Sequence, residues 1–141
     1  DINRSIDLLT KEGINIHANI IYGLTGETLE SANRTFEYIK SLVNTNSNIT
    51  KILASHAIPL FATGMFRRLA GNAAAAGEYS GDLNKDDIFD YDALTRIYTK
   101  YFTSVNFEDM ETLVQQTKGL MAGEGCHTSF EVYNPKQCDN R

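Results

Sequence analysis

Cysteine is scarce, basic residues form no cluster, and no stretch is long and apolar enough to span a bilayer. The only cysteines, Cys126 and Cys138, lie apart in the tail without the spacing of a disulfide framework, which fits a reducing, cytoplasmic compartment. Thirteen Lys and Arg against eighteen Asp and Glu leave a net charge of −5, which argues against nucleic acid as a partner. With neither an apolar span nor a signal peptide, no membrane partner is expected. Asn3, Asn33 and Asn48 each head an Asn-x-Ser/Thr triplet, which matters only in a secreted chain. At 141 residues the chain has room for one domain with a real core.

What is present centres on Gly13 to Thr28, which reads as a strand, a glycine-bracketed loop and a helix opening. Ile14, Ile16, Ala18 and Ile20 share one parity, and Asn15, His17, Asn19 and Ile21 share the other. In a strand these sets point to opposite faces, one apolar and one polar for most of its length. Strands of a doubly wound sheet are apolar on both faces. A polar face ending in a Gly-rich loop suits a barrel strand whose inner face lines a cavity, or else an edge strand with one solvated face. Periodicity does not separate the two.

Upstream, Ile2, Ile6 and Leu9 share a helical face, and Gly13 falls at the C′ position of a helix stop. Downstream, Leu29, Ala32, Phe36, Ile39 and Val43 recur at alternating three and four, an amphipathic helix lying on the sheet. Glu27 and Glu30 are placed in or near its first turn, where the helix dipole favours negative charge. After a polar connection, Lys51 to Ile58 reads as a second strand, mostly apolar or small on both parities and so expected to be buried on both faces. His56 within it reads more readily as a structural residue than as a ligand. Arg67 to Ala70 ends a short helix, and Gly71 to Gly77 reads as poorly specified chain. Tyr91, Leu94, Tyr98 and Tyr101, with Ile97 and Phe102, make one helical stripe, with hydroxyls expected to reach solvent. Phe107, Met110, Val114 and Met121 make another, capped by Asn106. Residues 123–141 show no period and are expected to be extended or disordered.

Two runs carry a family resemblance. Ile21-Tyr22-Gly23-Leu24-Thr25-Gly26-Glu27-Thr28, followed by Leu29-Glu30-Ser31, and Ile58-Pro59-Leu60-Phe61-Ala62-Thr63-Gly64 resemble the turns after the last two strands of radical SAM enzymes. The pattern there is apolar-x-Gly-Leu-Pro-Gly-Glu-Thr, then Pro-x-Pro-Gly-Thr-Pro. This chain departs from it at Thr25, Phe61, Ala62 and Gly64, where Pro, Pro, Gly and Pro are usual.

The resemblance implies an α/β fold: residues 1–70 as the C-terminal strand–helix units of a partial (β/α)6 TIM-like barrel. Residues 71–122 would be a helical extension and 123–141 an irregular tail. Adjacent parallel strands, joined right-handed through the Thr28 to Val43 helix, follow from the strand–helix–strand order. The resemblance also implies S-adenosylmethionine and a [4Fe–4S] cluster as cofactors and a small-molecule substrate. Reductive cleavage of the cofactor would give a 5′-deoxyadenosyl radical. Cobalamin is a further cofactor if a cobalamin-binding domain precedes the barrel, with methyl transfer or ring formation as the chemistry. The alternative within the family is a cobalamin-free oxidoreductase of the coproporphyrinogen-dehydrogenase kind.

In this resemblance Ile21 packs on adenine, and Gly23 permits close backbone approach. Asn19 hydrogen-bonds ribose or substrate, His17 faces the substrate cavity, and Ala57 and Ile58 belong to a strand end that reads the adenine edge. The plainer reading is that Ile21 and Gly23 only shape a turn. The cluster needs three closely spaced thiolates, which this chain lacks. It opens mid-helix at Asp1 without an initiator Met, and is read as the C-terminal piece of a larger enzyme.

Outside the family, Asp82, Asn84, Asp86 and Asp90 match positions one, three, five and nine of a calcium loop, suggesting a non-catalytic calcium-binding helical module. Asp87 stands where Gly is needed and Ala93 where a bidentate carboxylate closes the site. A solvated acidic helix start is the favoured reading of this segment.

Overall fold

A computed structural model describes residues 2–84 and 89–121. The order is α1 (Ile2–Lys11), β1 (Ile16–Tyr22), α2 (Leu29–Thr45), β2 (Ile49–His56), α3 (Gly64–Ala70), α4 (Ala73–Glu78), α5 (Tyr91–Phe102) and α6 (Phe107–Gly119). The acidic segment read as a calcium loop falls partly on residues 85–88, outside the described residues, as does the tail from 122 onward.

Local chemistry explains most boundaries. Gly13 takes φ 67° after α1, the left-handed conformation a C′ glycine supplies. Thr28 caps α2 reciprocally: its Oγ1 accepts the Ser31 N–H at 3.1 Å, and Ser31 Oγ accepts the Thr28 N–H at 3.0 Å. Glu30 lies in the first turn of α2, but Glu27 stays outside the helix and bonds elsewhere. Asn106 caps α6, accepting from Asp109 N–H at 2.7 Å. The segment read as poorly specified contains α4, because Asn72 caps it through Ala75 N–H and Ala75 is buried. A run of alanines has no periodicity to reveal, so the cap was the available signal.

β1 and β2 are adjacent and parallel, pairing Ala18 with Ile52, Ile20 with Ala54 and Tyr22 with His56. Among the described residues, helices cover one face only. There Tyr22, Ala32, Ala54, Val105, Met110, Leu113 and Val114 form a core joining the sheet to α2 and α6. A second core joins α3, α4 and α5 around Phe66, Leu69, Leu94 and Tyr98. A third unites Ile39, Ile49, Ile52 and Met121.

The expectation that β2 is buried on both faces is corrected. Ile52 and Ala54 are buried, whereas Lys51 and Ser55 are exposed and Leu53 is half-buried. The reason is that no described element lies over that side of the sheet. The stripe of α1 is also less covered than its period suggests: no residue of α1 is fully buried and Ile2 is exposed.

Candidate functional site

Because the strands are parallel, both motif-bearing turns leave the same end of the sheet. In open α/β architectures that carboxyl end is where ligands gather. The open face leading to it carries His17, Asn19 and Ile21 from β1, in register with Lys51, Leu53 and Ser55 from β2. All three β1 side chains are exposed, Ile21 by 51%. The parity argument therefore places His17, Asn19 and Ile21 together, and the structure leaves them accessible.

Gly23 is different. It is buried, with φ 90°, and an added Cβ would lie 2.7 Å from Met110 Sδ. The close approach this glycine permits is that of the α6 thioether. Its N–H donates to Glu27 Oε2 at 2.5 Å, closing the loop on itself. Glu27 lies one residue before the cap of α2, and its carboxylate fixes the turn.

At the end of β2, Ala57 is buried and its N–H donates to the Tyr22 carbonyl at 2.6 Å, extending the ladder by one residue. That amide is already engaged and does not reach outward. Ile58 is 43% exposed, and its carbonyl accepts the Leu60 N–H at 2.8 Å. Ile58 lines the cleft beside α5 and α6 described below, not the face that carries Ile21, while Ala57 serves the sheet. Beyond them Ala62 takes φ 63°, Thr63 caps α3, and Gly64 is its first residue. These are the backbone roles that Gly, Thr and Pro fill best in a Gly-Thr-Pro sequence.

The sequence did not single out a second constellation, on the helix-covered side. A cleft of about 370 Å³ beside β2 is lined by Ser55, His56, Ile58, Tyr91, Asp92 and Lys118, among others. His56 Nε2 is buried, 3.3 Å from Glu111 Oε2, and has no hydrogen-bond partner among the described residues. Burial pushes the imidazole below its usual pKa. Glu111 raises it, and Lys118 lowers it further. The ring lies 4.9 Å from that of Phe107, over which the Arg96 guanidinium sits 4.0 Å from the centroid. The only available signal was that His56 shares parity with Ile52 and Ala54; its charged neighbours come from α5 and α6.

Of the tyrosine hydroxyls expected to reach solvent, that of Tyr98 is turned inward, whereas that of Tyr101 meets an exposed carboxylate. Tyr98, 1% exposed, pairs with Thr25 Oγ1 at 2.5 Å, and Tyr101 donates to Glu78 at 2.6 Å. Among the described residues no group of three or more His, Cys, Asp or Glu side chains is placed to hold a metal ion. No described helix is long and apolar enough to cross a membrane. Comparison with models of known families, with curated proteins and with solved structures finds no match to this chain.

Proposed function

We propose that this chain forms the last two strand–helix units of a radical SAM barrel, with the open sheet face as part of the barrel's inner wall. One observation carries the reading: the two runs that resemble the family's turns, Gly23 to Thr28 and Ile58 to Gly64, follow adjacent parallel strands at one end of the sheet. The polar and accessible face between them, with His17 and Asn19 below Ile21, is what a cavity wall requires.

The described residues fit the adenosine of S-adenosylmethionine, since Ile21 offers an exposed apolar shelf and Asn19 a hydrogen-bonding amide on the same strand face. They do not fit the cluster, whose ligands would come from the preceding part of a longer polypeptide. Bound there, the cluster and S-adenosylmethionine supply radical chemistry on a small-molecule substrate. This chain's share is to seat the nucleoside and shape the cavity. A cobalamin-dependent methyltransferase or cyclase and a cobalamin-free oxidoreductase both accord with this role.

The test is anaerobic reconstitution with iron and sulfide of this chain and of the polypeptide extended upstream. The extended protein should take up a cluster and release 5′-deoxyadenosine from S-adenosylmethionine on reduction, while this chain alone takes up none. An extended protein without a three-cysteine loop, or a stoichiometric cluster on this chain alone, overturns the reading.

A further inference from the structure

The loop after β1 exposes Leu24, Thr25 and Gly26 to solvent, yet it is tied to the C-terminal helices at three points. Gly26 N–H donates to the Phe102 carbonyl at 2.7 Å, taking up one of the carbonyls left open where α5 ends. Ser104 N–H donates to the Glu27 carbonyl at 2.8 Å, and Thr28 and Ser104 form an isolated parallel bridge. The third tie joins side chains: Thr25 Oγ1 and the Tyr98 hydroxyl are 2.5 Å apart. Tyr98 is buried in the α3–α4–α5 core, its ring 4.8 Å from that of Phe102, so its hydroxyl is held by packing that the loop does not influence. Inside the loop, Gly23 N–H and the Glu27 carboxylate close the turn.

Thr25 stands where the resembling pattern has Pro. Proline would restrict this turn covalently, through φ. Here a hydroxyl tethered to a buried tyrosine restrains it from outside.

We propose that Thr25 and Tyr98 form a clasp by which α5 holds the loop 23–28 in its binding conformation, making Tyr98 a positioning residue for the adenine-bearing cofactor at Ile21. This rests on the function proposed above. Tyr98 touches no ligand; it acts by removing loop conformations in which the turn and the adjoining Ile21 shelf are displaced. A preorganised loop loses less freedom on binding, so the clasp appears as affinity.

The experiment uses the cluster-loaded, full-length protein and compares wild type with Thr25→Val, Thr25→Ser, Tyr98→Phe and the Thr25→Val/Tyr98→Phe double variant. S-adenosylmethionine affinity, melting temperature and amide hydrogen exchange of residues 24–27 are measured. Thr25→Val and Tyr98→Phe should each weaken binding about tenfold, the equivalent of one neutral hydrogen bond, and speed exchange of the Gly26 and Glu27 amides. The double variant should be no weaker than either single variant, and Thr25→Ser should match wild type. Wild-type binding with unchanged affinity and exchange in Thr25→Val and Tyr98→Phe overturns the clasp alone. A cluster-loaded wild type that binds no S-adenosylmethionine overturns the cofactor reading, and with it the positioning role.

Discussion

Met110 Sδ occupies the space a side chain on Gly23 would need, so the end of β1 and the first turns of α6 are built around one missing Cβ. Two penalties oppose a larger residue there, and they differ in size. The thioether is the far end of a flexible side chain and can swing aside. The φ of 90° cannot change without moving the loop. Gly23→Ala should therefore lose about 1–3 kcal/mol, chiefly as backbone strain. Trimming Met110 to Ala in that background should not restore stability, because a buried Met lost to a cavity itself costs about 2–5 kcal/mol. Urea unfolding of the single and double variants measures this; full rescue by Met110→Ala would show that the contact, and not φ, dominates.

Ala62 pays for a left-handed conformation at φ 63° on an exposed turn. Ala62→Gly should raise stability by about 0.5–1 kcal/mol, the relief of strain exceeding the added freedom of the unfolded chain. Gly64→Pro should also be tolerated or stabilising, by about 0.4–1 kcal/mol. Gly64 is the first residue of α3, a Cβ there meets open space, and Thr63 before it is extended at ψ 165°. Thermal melts decide both; a loss of stability in either variant contradicts the turn geometry.

Ile20 and Ile21 separate packing from the open face. Ile20 packs against both the Tyr22 core and the Ile39 core, whereas Ile21 is half exposed. Ile20→Asp should cost about 3 kcal/mol or more as a buried unpaired charge, and Ile21→Asp about 0.5 kcal/mol or less. Under the proposed function the order inverts: Ile21→Asp should weaken S-adenosylmethionine binding by about 1–3 kcal/mol. Ile20→Asp should leave affinity in its folded fraction unchanged. Urea unfolding and cofactor titration together test the face assignment, and a reversed pattern would refute it.

His56 gives the pH dependence a sign. Burial lowers its pKa in the folded protein below the ordinary 6.5, so the unfolded chain takes the proton more readily. Stability should be at its full value above about pH 6.5 and fall as pH drops towards the folded pKa. Glu111 is the strongest group holding the pKa up, so Glu111→Gln should lower the His56 titration midpoint further. NMR titration of the imidazole checks this; a wild-type midpoint at or above 6.5, or an upward shift in Glu111→Gln, contradicts the assignment.

The sequence by itself determined what depends on near neighbours. The alternation of β1 separated His17, Asn19 and Ile21 from Ala18 and Ile20, because side chains of a strand alternate whatever packs on them. Gly13 as a helix stop and Asn106 as a helix cap were legible for the same reason, since both act within a few residues of themselves. In β2 the two parities are almost equally apolar, so only the placement of α2 and α6 on one side decided that Ala54 is buried and Ser55 open. That Gly23 meets Met110, Thr25 meets Tyr98, and His56 faces Glu111 was also decided by tertiary structure. Each pair joins residues far apart in the chain, and no local period or propensity encodes which surfaces the packing of α5 and α6 brings together.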